Sequence, residues 1–519
     1  MLATAHSAAL SGLEAHPVRV EVEASRGLPS FELVGLAETA VRESRVRVRS
    51  ALAQLGVVTT ESRIVVNLAP ADLRKVGSGF DLAIAVATLF ALSAVPASAA
   101  EGSAEVLYLG ELSLTGRVLP IRGVLPHLLA ARSRGVRRAM VPKGNAAEAA
   151  LVTGIEVHAV EELVHVVRHL REGAPLERAR PGVASAAPSM SDDLADVRGQ
   201  GGAKRALEIA AAGGHNLLFL GPPGSGKTML ARRLPSILPP LDPEEALEVM
   251  AIHSVAGLLR TPRALALHRP FRAPHHTVSE VALVGGGDVP RPGEVSLAHR
   301  GVLFLDELPE FRRGALEALR QPLEDAEVTI SRALARATYP AEMLVVAAMN
   351  PCPCGFAGSS VPCVCTPERV RAYRGRLSGP LLDRIDAHVV LPQVDVHALY
   401  AGATEETSAK VRERVLRARG VQADRVRTGR VRARSNARLG TRDAEAVAHP
   451  CDRAKALLVS AVTQLGLSAR AHGRILRVAR TIADLAGEDS MAPVHVAEAI
   501  ALRVLDRGNR SAHAPVHAV

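Results

Sequence analysis

The segment "HNLLFLGPPGSGKTML", His215 to Leu230, constrains this chain more than any other. A short apolar run is followed by Gly221, then Pro222, Pro223, Gly224 and Ser225, then Gly226, Lys227 and Thr228. This spacing predicts a strand, a loop and a helix in succession, the setting of a phosphate-binding loop. Glycines let backbone N–H groups turn toward phosphate oxygens, and the following helix presents its positive end. Lys227 would reach the β- and γ-phosphates as a compact charge, which a planar guanidinium replaces poorly. Thr228 offers a hydroxyl to Mg2+. ATP and Mg2+ are therefore the expected cofactors.

A second apolar run, "GVLFLDE" from Gly301, delivers Asp306 and Glu307 at its C-terminal end, where ligands bind in open α/β sheets. Asp306 is expected to hold Mg2+, and Glu307 to polarise the attacking water as general base. A third run, "EMLVVAAMN", ends on Asn350, whose amide is suited to orienting that water, the sensor 1 task of AAA+ ATPases. Downstream, Arg384 in "RLSGPLLDRIDAHVVLP" is placed like the arginine finger that one AAA+ subunit extends into its neighbour's ATP. The competing reading is an ion pair with Asp383 and Asp386. "LSARAHGRILRVARTIADLAG" has helical period, with Ile475, Val478, Ala479 and Ile482 on one face. Arg470 is placed there like sensor 2, which touches the γ-phosphate of its own subunit; Arg474, one turn on, is the rival.

These motifs, with "RPFRAPHHTVSEVALVGGGDVPRPGEVSLAHRGVLFLDELPEF" and "MNPCPCG", resemble the ComM/YifB group of magnesium-chelatase-like AAA+ ATPases over essentially the whole chain. The resemblance implies a homo-hexameric ring of the helix-2-insert branch and, in competence members, a DNA helicase driving branch migration. The 78 positions from Thr228 to Asp306 leave room for the insert, and the Gly- and Pro-rich "GGGDVPRPGE" reads as a projecting hairpin. By the same resemblance Arg269, Arg272, His275 and His276 are candidates for DNA contact; for the His275–His276 pair a structural role and metal ligation stay open as alternatives.

Charge supports the nucleic-acid reading only locally. Ten Arg stand against Glu413 and Asp424 between Val411 and Arg438, a surplus of eight in a chain of net charge +10. That window is either a phosphate-tracking surface or a solvated helical face. With no Trp, eight Phe and four Tyr, base stacking is not expected to dominate.

At 519 residues several domains are expected. Residues 1–170 suggest an α+β domain; "GELSLTGRVLPIRGVLPHLLAARSRGVRRAMVPKGNAAE" resembles the S5-like proteolytic domain of Lon proteases. The Ser-Lys dyad of that family is missing. Gly79, not Ser78, aligns with the nucleophile, and Leu125, Pro126 and His127 stand where the lysine is expected. A serine without a base is a poor nucleophile, so peptidase activity is not expected; Lys75 and Lys143 remain as possible phosphate or carboxylate contacts. The apolar run "LAIAVATLFALSAVPASAA" from Leu82 follows Asp81. It is too short to span a bilayer and starts too late for an export signal, so it reads as a buried helix. A linker over 171–190, a P-loop α/β motor over 191–395, a helical lid over 396–507 and a tail over 508–519 complete the division.

Five cysteines without an export signal point to the cytoplasm rather than to disulfides. Four of them form "CPC" and "CVC" pairs, Cys352 with Cys354 and Cys363 with Cys365, in an insertion over 350–366. Tetrahedral zinc is the favoured reading; because structural zinc pairs are ordinarily C-x2–4-C, reduced thiols stay open as the alternative. The expected function is an ATP-driven motor on branched or single-stranded DNA without membrane contact. The alternative is a chelatase-like or protein-remodelling motor without DNA activity.

Overall fold

The computed structural model describes all residues except 36–37, 104, 181–191, 260–265, 333–334, 394–404, 504 and 506–519. The expected tail over 508–519 and the second half of the linker over 171–190 fall outside the described residues.

Alternation of apolar and polar residues in "LATAHSAALS" and "EAHPVRVEVEASR" produces a long hairpin, Leu2–Ser11 paired antiparallel with Glu14–Arg26. Its buried residues include Ala5, Val18, Val20 and Val22. The hairpin centres an eight-stranded mixed sheet. On one side lie Ser62–Ala69 and Ser30–Val34; on the other, Val106–Tyr108, Arg138–Pro142, Glu156–Val160 and Glu177–Arg178. The last strand and the helix Leu163–Glu172 carry this unit past residue 170, into the span read as linker. Helix Asp81–Ala91 is buried at every position. Its one charge, Asp81, is met by Arg47 at 2.6 Å, because a carboxylate removed from water needs a partner.

The central unit is built on a five-stranded parallel sheet: β1 (Leu217–Leu220), β2 (Phe271–Arg272), β3 (Val302–Leu305), β4 (Leu344–Met349) and β5 (Ala387–Val390), in spatial order β2-β3-β4-β1-β5. Strands β1, β3 and β4 are apolar and fully buried, as a parallel sheet covered on both faces requires. Between β2 and β3 the helices Glu280–Val284 and Glu294–Leu297 are separated by a hairpin, Gly285–Gly286 paired with Arg291–Pro292. The Gly- and Pro-rich stretch thus forms the expected hairpin. A second, longer hairpin, Glu327–Arg332 paired with Ala335–Pro340, precedes β4. It touches the first through Tyr339, whose hydroxyl donates to the Pro290 carbonyl at 2.8 Å.

A C-terminal group of helices, Ser408–Arg427, Thr441–Ala448, Asp452–Leu465, Ala469–Ala486 and Pro493–Ala501, has its own apolar core around Ile475, Ala479 and Ile482. Helix Ala469–Ala486 begins at Ser468, whose hydroxyl caps the Ala471 N–H at 3.2 Å. The first unit meets the central one where helix Val124–Ser133 packs on helix Pro243–Ala256, with Met250 and Ala251 joining the core of Leu125 and Leu128. No described helix is long and apolar enough to cross a membrane.

Candidate functional site

The loop after β1 runs into helix Lys227–Ile237. Gly224 and Gly226 have φ of 75° and 88°, conformations that side chains resist, so glycine is required for the loop to turn its N–H groups inward. Lys227 is buried, and its ammonium donates to the carbonyls of Gly221 (2.7 Å) and Pro222 (2.9 Å) and to Asn350 Oδ1 (3.2 Å). Burial lowers its pKa, a shift opposed by Asp306 and Glu307. Thr228 Oγ1 donates to Asp306 Oδ2 at 2.7 Å. Loop, β3 carboxylate and β4 amide therefore converge at the C-terminal edge of the sheet.

Glu307 follows in a left-handed backbone conformation, φ 52°, with its N–H on Asp306 Oδ1 at 2.9 Å. A non-glycine residue held there costs of order 1 kcal/mol or more, so neighbouring structure imposes the turn. The turn separates the two carboxylates, one toward Thr228 and one toward His276. His276 Nδ1 lies 3.1 Å from Glu307 Oε2 and its ring stands edge-on to Phe311.

Hydroxyl, carboxylate, ammonium and glycine turn together fit a nucleotide with Mg2+. Lys227 would hold phosphate oxygens, while Thr228 and Asp306 would hold the ion, whose charge offsets that of the phosphates.

The remaining arginines are not brought to this edge. Arg384 pairs with Glu324 and donates to the Pro380 carbonyl at 2.8 Å, so its ion-pair partner is neither flanking aspartate. It lines a cavity of about 510 Å3 with Asn216, Glu324, Asp386, Arg470 and Arg474. Asn216 and Asp386 immediately precede β1 and β5, which puts the cavity at the N-terminal edge, roughly 16 Å of strand from the phosphate loop. Arg470 is exposed, whereas Arg474 lies 3.7 Å from Asp386. Burial alone would raise the Asp386 pKa, but His215, Arg474 and Arg477 bring it down to about 2.

Two of the four residues singled out for DNA contact have internal work. Arg269 donates to the carbonyls of Pro239 and Arg300 and to Glu245, and Arg272 forms a two-bond fork with Glu294 at 2.6 and 2.7 Å. His275 is exposed, its ring 4.1 Å from that of His276 and tilted by 33°. The basic window also divides. Arg414, Arg419, Arg425 and Arg438 bond to Glu208, Ala211, Asp484 and Leu323 of the surrounding protein. Arg412, Arg417, Arg427, Arg430, Arg432 and Arg434 are exposed, with Arg427 paired to Asp424.

Sequence reasoning missed three neighbours of the site. Gln200 Nε2 donates to the carbonyls of Ser225 (3.2 Å) and Pro392 (2.9 Å), tying the loop to the end of β5. His276, a candidate for DNA contact, a structural role or metal ligation from sequence, stands beside Glu307. Gly355 lies against Pro223, where an added Cβ would sit 2.6 Å from the proline ring. Gln200, in "RGQGG" ahead of a helix, and Gly355, between the two cysteine pairs, left turn signals in the sequence, but neither signal pointed to the loop.

In the first unit, Ser78 Oγ bonds the Glu111 carboxylate and Lys75 Nζ donates to the Pro70 carbonyl. His127 is buried between the carbonyls of Gly123 and Ala8 at 2.6 and 3.1 Å, and Lys143 is salt-bridged to Glu161.

Comparison with known proteins agrees with this layout. The families described as magnesium chelatase subunit ChlI, subunit ChlI of Mg-chelatase, and the ChlI C-terminal region match residues 193–399, 20–145 and 405–503 respectively. The chain is 45% identical over 516 residues to competence protein ComM of Haemophilus influenzae, covering 98% of each. It is 43% identical over 508 residues to the uncharacterized protein YifB of Escherichia coli, again covering 98% of each. Lon protease 1 of Thermus thermophilus is 38% identical over 101 residues, 18% of this chain and 12% of that protein. The chain belongs to the magnesium-chelatase ChlI family of AAA+ proteins, within its ComM/YifB group.

Proposed function

We propose that this protein is an ATP-hydrolysing ring motor that translocates on DNA and serves branch migration in recombination. The motor would span 191–395, with a lid over 396–507 and a Lon-like N-terminal domain over 1–170 that has no peptidase chemistry. The observation that carries the reading is a division of labour across the sheet. Lys227, Thr228, Asp306 and Asn350 meet at one edge, while Arg384, Arg470 and Arg474 line a cavity at the other.

Glu307 would accept a proton from the attacking water once freed from His276, Asn350 would orient that water, and Lys227 would balance phosphate charge. Arg384 would act as the finger, with Arg470 or Arg474 as the lid contact. None of the three stands at its own chain's loop, which favours service to a neighbouring copy and hence a ring, a hexamer by family resemblance. For Arg470 this revises the own-subunit contact expected from sequence. The DNA reading is supported by exposed arginines on the two touching hairpins, Arg291, Arg332 and Arg336, and by a relative that is named a competence protein. The four cysteines are read as a structural zinc site and the location as cytoplasmic.

A chelatase-like or remodelling motor is the second reading, favoured by the family matches themselves. Turnover measured with and without branched or single-stranded DNA across a salt series separates the two. Stimulation by DNA, with binding that weakens as salt rises, supports the first reading. Salt-insensitive turnover that ignores DNA overturns it.

A further inference from the structure

We propose that Cys352, Cys354, Cys363 and Cys365 bind one zinc ion and that the resulting knuckle is a strut for the phosphate-binding loop, bearing on Pro223 through Gly355. The strut rests on the nucleotide reading above; the metal site does not.

The four sulfurs all lie within 4.8 Å of one another. Cys352 Sγ is 3.3 Å from Cys354 Sγ and 3.6 Å from Cys363 Sγ, and Cys354 Sγ is 3.6 Å from Cys363 Sγ. Tetrahedral zinc with Zn–S of about 2.3 Å sets its sulfurs roughly 3.8 Å apart, whereas a disulfide needs about 2.05 Å. The separations therefore suit four ligands on one small ion, a closed set with no position left for a reacting water. A backbone donor also faces the sulfurs, the Ala357 N–H reaching Cys352 Sγ at 3.3 Å. Such donors stabilise thiolate charge.

Regular secondary structure does not order this segment. Between residues 350 and 366 there is no helix or strand, and Pro353, Val361, Pro362, Cys363 and Val364 are exposed, Val364 at 78%. A stretch that buries so little apolar surface gains its order from a cross-link, and metal ligation supplies one. Gly355 and Gly358 make the required turns, with φ of 89° and 78°.

The knuckle touches the nucleotide site directly. A Cβ on Gly355 would lie 2.6 and 2.8 Å from Pro223 Cδ and Cγ, and 3.9 Å from Asn350 Cγ. Pro223 is otherwise exposed, so the knuckle backbone is what backs that part of the loop. The knuckle is itself braced from behind. Arg374 Nε donates to the Pro351 carbonyl at 3.2 Å, and Ser360 Oγ donates to Gln393 Oε1 at 2.6 Å. Zinc would thus set loop position and, through Asn350, the side chain that Lys227 contacts.

The test uses the full chain purified under reducing conditions without chelator. About one zinc per chain is expected, and cobalt in its place should give a tetrathiolate spectrum. Less than a fifth of a zinc per chain without that spectrum, or iron in its stead, overturns the metal assignment. Gly355→Ala should keep zinc yet weaken binding of a fluorescent ATP analogue at least fivefold and slow turnover at least tenfold. Releasing zinc from the folded wild-type chain with a mercurial, and exchanging the exposed ligand by Cys363→Ser, should reproduce both defects. Zinc loss that leaves nucleotide affinity and turnover unchanged overturns the strut. A wild-type chain that never turns ATP over sinks the ATPase reading instead; zinc content and nucleotide affinity, read without turnover, still decide the strut.

Discussion

The central unit and the N-terminal domain each hold a lysine, a hydroxyl and a carboxylate, and use them differently. In the central unit, Lys227 and Thr228 reach across the sheet to Asn350 and Asp306, groups delivered by other strands to one edge. In the N-terminal domain, Lys75 is spent on a carbonyl five residues away, and Ser78 is tied to Glu111. Groups from several strands that meet at an open sheet edge can hold a ligand together, whereas satisfaction within the fold is the ordinary fate of a buried polar group. Residue type alone therefore says little until its partners are known.

The widest gap between the two regions should open with Arg384→Ala, expected to cut turnover about 10³- to 10⁵-fold as a lost finger does. Mixing it with Lys227→Ala chains should restore part of the rate, since each supplies what the other lacks; a mixture as inactive as its components would break the trans assignment. Glu307→Gln should lower turnover about 10²- to 10⁴-fold while the chain still binds ATP, measured by nucleotide affinity beside phosphate release. In the other region the losses are of stability. Arg47→Ala strands the buried Asp81 and should cost about 3 to 5 kcal/mol, read as early melting of the N-terminal unit.

A smaller, pH-dependent effect is expected at Glu148, whose carboxyl burial pushes up to about 7 and which accepts from Asn145 at 2.9 Å. Between the ordinary glutamate pKa and 7 the folded chain binds more protons than the unfolded one, so stability falls as pH rises through that window. Glu148→Gln should remove the slope, worth at most about 3 kcal/mol at pH 8, in denaturant titrations at pH 5 and 8. Ser78→Ala should leave ATP turnover within about twofold, and a larger loss would erase the contrast drawn here.

Sequence carried the convergence at the central sheet's C-terminal edge well, because a strand ending on a polar residue is a local pattern. Lys227, Thr228, Asp306 and Asn350 each follow or end an apolar run, and parallel pairing brings those ends together. It carried contacts across the chain poorly. Glu324 as the partner of Arg384, Glu294 as the partner of Arg272 and His276 beside Glu307 depend on which loops fold back, and no spacing encodes that. The basic window was half legible, since period alone does not tell Arg419, folded onto the Ala211 carbonyl, from Arg417 in solvent. The second hairpin, Glu327–Pro340, lacked the tight-turn residues that announced the first.

The buried helix Asp81–Ala91 bears on how the chain is made. Its cover includes strand Leu2–Ser11, which pairs with Val106–Tyr108, and that strand in turn pairs with Arg138–Pro142. While the ribosome is still delivering residues past 140, an apolar segment that imitates an export signal has no finished sheet to lie on. Contacts so far apart close slowly, and exposed apolar surface invites association in the meantime. Synthesis should therefore lean on chaperones that hold nascent apolar segments, and solubility should suffer first in chains truncated between residues 91 and 138.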